Sequence, residues 1–483
     1  MSNIPTVKFY GKAISFMIRQ KMRKGPAPRG AALPAKPSLS PAQPFLWAAL
    51  LVFCLLLIGG DTNRVDLRRL VLAGLSSMTI GIAVYHGALG RLRQLPWPLI
   101  AFIAVALLLP LIQIVPLSRG IVAGLPGRET ALATHDLVGG TAWWTISVTP
   151  METATALVSL LAPLAMFLIA LTLRKQDYFW LFVVVFAMAM VSVVVGLFQF
   201  STGGSLFNFF SSSHRQFLIG FFSNRNHQGL FLALCAALAI GWMLTLMRNR
   251  KNAYFLAILT GFFILVVSVA TNSRTGMAMC AASVVVALAL FLRKADIGRT
   301  LIASIAGIAV AAVTLGIFLS SSRVADVSVK RFGDLPADGR FKIWESSADL
   351  INVYFPFGSG LGTFVDIFNS HEALTDLAPS YVNHAHNEYI ELLIELGAAA
   401  PIVLALFLLW YGIAIMRAWR GFAQPEGKLP IIALFILGLF LAHSFVDYPL
   451  RTPALAGMFA LLVAFIVTSL WSVSPAPGDK GVR

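Results

Sequence analysis

Apolar runs of about 17–23 residues, parted by short polar connections, recur along almost the whole chain, and a run of that length can cross a hydrocarbon layer as one helix. They fall at about 44–60, 70–87, 97–116, 151–173, 178–200, 227–247, 253–271, 276–292, 300–320, 388–415, 430–446 and 453–471. The pattern predicts an all-α polytopic membrane protein with about 12 transmembrane helices. No internal repeat is visible.

The polar remainder divides the chain further. Residues 1–43 carry eight Lys/Arg and no Asp or Glu. They read as a basic cytoplasmic arm, with an interfacial helix at 5–22 and a Pro/Ala-rich linker at 26–44. No early apolar run ends in a small-residue cleavage site, so no cleaved leader is expected. Helices 1–9 then occupy 44–320, and 388–471 hold helices 10–12 before a cytoplasmic tail at 472–483. With the N-terminus inside, RNRK (248–251), RKADIGR (293–299) and the other cytoplasmic connections are each basic, as the positive-inside rule asks. The opposite orientation would place the basic arm outside. The large connection at 321–387, between the ninth and tenth spans, is then periplasmic and far longer than an ordinary loop, which suggests a small lobe with a function. Within it WESSADLINVYF has helical spacing, ended by Pro356.

Composition agrees with this class: 58% of residues are hydrophobic and 12% charged, against roughly 25% charged in soluble domains. In a membrane protein the net charge of +16 reads as basic loops beside anionic lipid, not as a nucleic-acid surface. Cys54, Cys235 and Cys280 lie in apolar runs without metal or disulfide spacing, and read as core residues.

The charge pattern changes the picture outside the membrane. On this map the inside has 10 Lys and 13 Arg, the outside 2 Lys and 12 Arg. Guanidinium presents a planar fork that matches phosphate oxygens; codon bias with solvated loops is the plainer alternative. Arg215 and Arg225 lie in HRQFLIGFFSNRNHQG, which runs into a helix together with Asn226. Arg274 lies in the TNSRTG turn, and Arg340 precedes the WESSADL helix. Cations at the ends of spans are costly unless paired or functional, and these four together suggest an anionic ligand.

Acidic residues and histidines gather nearby. In YVNHAHNEYIELLIELG, Asn387, Glu391 and Glu395 recur every four residues on one face of a helix entering the membrane, with Glu388 at its start. Acids at that depth face protein or a watery cavity, with external arginines as partners. His384 and His386 form an HxH pair, weak as a metal site; His386 suits a general base near neutral pH. In HSFVDYPLR, His443 and Asp447 are one helical turn apart, either a structural pair or part of the same cavity.

HAHNEYIELLIELG resembles the His-Asn signature of the bacterial O-antigen ligase and O-antigen polymerase superfamily. NRNHQG, SRTG, and GRFKIW followed by PFGSGLGTF match its pattern in the same order, and HSFVDYPLR is similar to a terminal segment in that group. The resemblance covers roughly residues 140–455. It implies an inner-membrane glycosyltransferase of the C-type class, with many helices and a large periplasmic loop. The implied donor is a glycan on undecaprenyl diphosphate; the acceptor is lipid A core, another lipid-linked glycan, or protein. By matching motif, Arg215 and Arg274 would bind the diphosphate and His386 would serve at the acceptor. Arg215 stands farther from the following glycine than the pattern has it, leaving Arg225 as the alternative.

Together these readings expect metal-independent inverting transfer without a cofactor. His386, Asn387, Glu388 and Glu395 are the catalytic candidates, and Arg215, Arg225, Arg274 and Arg340 the diphosphate-binding ones. His384, Asn226, His443 and Asp447 would support them. A lipid-linked oligosaccharide flippase is the rival, although transporters of the major facilitator type show matched halves that are missing here.

Overall fold

The computed structural model describes residues 43–62, 67–137, 144–210, 212, 214–291, 340–372 and 382–471. The basic arm, the ninth predicted span, residues 321–339 of the long connection and the tail lie outside the described residues. In chain order the first helices are α1 (Gln43–Ile58), α2 (Leu67–Tyr85), α3 (Ala88–Leu92), α4 (Trp97–Gln113), α5 (Arg119–Val122) and α6 (Glu129–Leu137). Next come α7 (Pro150–Ser159), α8 (Leu161–Leu171), α9 (Lys175–Ser201), α10 (Arg225–Leu246), α11 (Arg250–Ala270) and α12 (Arg274–Ala289). The last are α13 (Arg340–Tyr354), α14 (Phe364–His371), α15 (Glu388–Leu396), α16 (Ala399–Arg420), α17 (Lys428–His443) and α18 (Pro453–Leu470). Among the described residues regular structure is helical, apart from one bridge pairing Leu117 with Trp144.

Among the described residues, seven helical stretches are long and apolar enough to span a membrane: α2, α7 with α8, α9, α10, α11, α16 and α18. Four apolar helices, α1, α4, α12 and α17, have 16 or 17 residues. At 1.5 Å per residue these fall short of roughly 30 Å of hydrocarbon. The protein is thus a multi-pass helical membrane protein. Helices α10 and α18 are its most enclosed spans, each with 72% of its apolar window buried.

Three polar motifs turn out to be helix starts. Asn224 caps α10 by accepting from the Asn226 N–H at 2.9 Å; Ser273 caps α12 by accepting from Gly276 at 2.9 Å. Asn387 caps α15, accepting from Tyr389 and Ile390 at 3.0 and 3.2 Å. Short polar side chains satisfy the orphan N–H groups of a first turn and are favoured there for that reason. The first two starts are pressed together because Gly229 and Gly276 let the backbones of α10 and α12 meet: a Cβ on Gly229 would stand 2.6 Å from Gly276 Cα. The loop before α10 is pulled onto α9 by buried amides and hydroxyls. Gln199 Nε2 donates to the Gly220 carbonyl at 3.0 Å, and the Phe221 N–H donates to Ser192 Oγ at 3.1 Å.

The span that the pattern predicts at 388–415 is two helices. Gly397 takes φ +56°, and a Cβ there would lie 2.2 Å from the Pro356 carbonyl oxygen. The PFGSGLGTF loop occupies the break and satisfies the carbonyls it frees: the Ser359 N–H donates to Ile394 O at 2.9 Å and the Gly360 N–H to Glu395 O at 3.0 Å. Gln113 Nε2, from the end of α4, adds a second donor to Glu395 O at 2.9 Å. Helices α13 and α14 pack through Leu350, Tyr354, Phe364, Ile367 and Phe368 on Ala385 and Ile394. The described part of the long connection therefore shares its core with α15.

Candidate functional site

Asp447 lies at the centre of the polar end of the bundle, fully buried. Asn226 Nδ2 donates to its Oδ2 at 2.6 Å, Asn224 Nδ2 donates to it at 3.2 and 3.3 Å, and the Tyr448 N–H donates to Oδ1 at 3.0 Å. Three imidazoles surround the same carboxylate: His386 Nδ1 at 3.5 Å, His227 Nε2 at 3.8 Å and His443 Nε2 at 3.9 Å. His227 and His443 are inaccessible, whereas the His386 side chain keeps 24% of its surface open. Ser273 Oγ donates to Asn226 Oδ1 at 2.7 Å and joins the start of α12 to the group. Residues at the starts of α10, α12 and α15 are thus linked around one buried anion, through Asn224 and Asn226, Ser273 and His386. His386 has φ +51°, a left-handed backbone that is uncommon for a non-glycine residue and is found preferentially at functional sites.

A second cluster lies along α15. Glu388 accepts from Ser444 Oγ at 2.6 Å and the Leu450 N–H at 2.8 Å. Glu391 meets His384 Nδ1 at 2.9 Å and Arg451 Nη1 at 3.5 Å, and Glu395 accepts from Arg451 Nη2 at 2.8 Å. The acids do face an arginine, yet it is Arg451 and none of the four named from the sequence. Behind this cluster, α4, α7, α8, α16 and α18 enclose a cavity of about 390 Å³. Leu99, Phe102, Phe167, Phe407 and Phe459 supply apolar wall; Arg69, Glu152, His384, Glu388, Glu391 and Arg451 are among its charged or titratable lining.

The four named arginines divide. Arg225 opens α10 with its guanidinium over the Phe217 ring, 4.8 Å from the centroid, and acts electrostatically on His214. Arg340 opens α13 within electrostatic reach of His443. Arg274 opens α12 half-buried, one residue after Ser273. Arg215 is exposed, its backbone packed against Gly204. Another arginine, Arg128, is buried and donates to the carbonyls of Pro126, Ile146 and Gly358, a structural tie. Asn387 spends its side-chain oxygen on the cap.

Sequence reasoning placed Glu391 on the polar face of α15 without a role, and passed over His214, His227, Tyr448 and Arg451. His214 feels Arg225, Asp447 and His386 together. Tyr448 packs its ring on His384 at 4.1 Å and His386 at 5.0 Å. Arg451 had a usable signal: three acids on one short helix need a cation, and HSFVDYPLR ends in one.

Residues 259–406 match the family model of O-antigen ligases. This segment is similar to an O-antigen ligase domain. This supports the superfamily read from HAHNEY, and the family implies glycan transfer of the ligase or polymerase type. No curated protein matches the chain. The ligase match starts within α11, takes in SRTG, α13, α14 and the HAHN loop, and stops within α16. Asp447, Asn224, Asn226 and Arg451 lie outside it, yet the fold places them against the matched residues.

Three groups at the site, His214, His384 and Asp447, shift with one sign. Burial, reinforced by Arg225, pushes His214 down to about 4; burial also lowers His384. Burial alone would raise Asp447, but His386 and the other imidazoles around it hold the carboxyl well below its usual range. Each folded pKa lies below its unfolded value, about 6.5 for His and 3.9 for Asp. The stability these groups confer is therefore complete above the unfolded value and lost as the pH falls. Unfolding temperature in detergent should decline from about pH 6.5 towards 4 through the histidines, then further through Asp447. His214→Asn should flatten part of the upper decline.

Proposed function

We propose that this chain is an inner-membrane glycosyltransferase that moves a glycan from undecaprenyl diphosphate to an acceptor hydroxyl on the periplasmic side. The observation that supports this most is the pairing of His386 with buried Asp447 at 3.5 Å beside three helix starts. A carboxylate that faces Nδ1 favours the tautomer with Nε2 unprotonated, the nitrogen a general base needs. Nε2 takes the proton of the acceptor hydroxyl as its oxygen forms a bond to the anomeric carbon. The bond to the diphosphate oxygen breaks on the opposite face, and configuration inverts.

Leaving diphosphate gathers negative charge. Arg225, Arg274 and Arg340, each the first residue of a helix, would stabilise it together with the helix N-termini, without a metal ion. The acceptor is lipid A core or a second lipid-linked glycan, and both termini are cytoplasmic. The apolar cavity behind α15 suits a hydrocarbon chain, with its charged groups near the head.

Purified protein in detergent, given polyprenyl-diphosphate-linked glycan and an acceptor lipid, should form product without any vesicle. His386→Ala should lower turnover by about 10²–10⁴-fold, the usual worth of a general base. Wild-type protein that forms no product with either acceptor class would overturn the reading. Full turnover in His386→Ala would remove the residue from the mechanism.

A further inference from the structure

The His386 backbone is held in an uncommon conformation, and the groups that hold it can be traced. Ala385, fully buried, has both of its peptide groups gripped. Its N–H donates to Glu391 Oε2 at 3.2 Å, and its carbonyl, one bond from the His386 nitrogen, accepts from Trp344 Nε1 at 2.9 Å. Glu391 also holds His384 Nδ1 at 2.9 Å, and the His384 ring lies on Tyr448. Glu391 is steadied in turn by Arg451, whose other nitrogen is fixed on Glu395, one helical turn further along α15. Arg451 closes the 3₁₀ turn Pro449–Arg451 that follows Asp447 and Tyr448 directly.

One five-residue stretch therefore meets the HAHN loop at two points: Asp447 at His386 itself, and Arg451 through Glu391. We infer that Glu391 and Arg451 are positioning residues, which hold residues 382–387 so that His386 keeps its left-handed backbone and faces Asp447. The inference rests on the glycosyltransferase reading for its kinetic consequence, but not for its structural one. Both side chains also line the cavity behind α15, and the donor KM separates a contact with substrate from positioning. Released from Glu391, Ala385 can rotate, and His386 relaxes to a commoner backbone away from the carboxylate.

The test uses the full chain in detergent and reads histidine carbethoxylation by mass spectrometry beside glycan transfer. In wild-type protein His386 is partly open and His227 and His443 are closed. Glu391→Ala should raise the labelling rate of His386 at least fivefold while His227 and His443 stay protected, showing that the bundle is intact. In the same variant kcat should fall at least tenfold with the donor KM within twofold. Wild-type labelling of His386 in folded Glu391→Ala overturns the inference, whatever kcat does. Should Glu391→Ala open His227 and His443 as well, the near-isosteric Glu391→Gln is judged by the same two readings. If wild-type protein transfers nothing, the functional reading falls, and the labelling alone still decides the positioning role.

Discussion

Asp447→Asn should lower glycan transfer by about 10³-fold while leaving a folded, monodisperse protein. The substitution preserves shape and removes what the site uses. Asp447 accepts from Asn224, Asn226 and the Tyr448 N–H while three imidazoles face it. An amide presents one acceptor where the carboxylate presents two, and turns its own N–H groups towards donors. His386 then loses the partner that selects its tautomer, and in other enzymes the same change in a buried His–carboxylate pair costs about 10⁴-fold. Stability should fall as well, by about 1–3 kcal/mol for buried donors left unmatched. Initial rates at saturating donor, normalised to the monodisperse fraction, give the answer. A loss below tenfold would assign Asp447 to the scaffold alone.

Arg451→Ala should have the largest effect on stability, about 3–5 kcal/mol. The guanidinium is the cation for Glu391 and Glu395, whose side chains are 1% and 0% exposed. Its removal leaves two carboxylates in a medium that solvates charge poorly, and desolvation of an unpaired ion far exceeds the worth of one hydrogen bond. The penalty comes from charge, so it should be partly reversible by removing charge. Glu395→Gln added to Arg451→Ala should recover part of the lost unfolding temperature, although it deletes one more native contact. Additive or worsening effects in the double variant would show that packing of the arginine stem, not its charge, supports α15.

Most of the helical layout was legible because long apolar runs have few alternatives to coiling. The break at Gly397 was not: Glu388 to Ile415 reads as one apolar helix, and only the PFGSG loop, whose Pro356 carbonyl meets Gly397, makes the interruption visible. The site was legible in part. HAHN, NRNHQG and SRTG stand out because polar residues are rare in this chain, and all three prove to be capped helix starts. Their meeting point was hidden because Asp447 lies 221 residues from Asn226, and no local pattern reports such a distance. Nor could a count of external arginines separate Arg128, tied to backbone carbonyls, from Arg451, tied to buried acids; that difference is made by tertiary burial.

The ligase match stops at residue 406, while Asp447 and Arg451 come later in the chain. Any chimera that exchanges the matched segment between relatives will therefore seat a histidine loop from one parent against a carboxylate and a guanidinium from the other. Grafts meant to change acceptor choice should carry 443–451 along with 259–406 as a single transplanted unit.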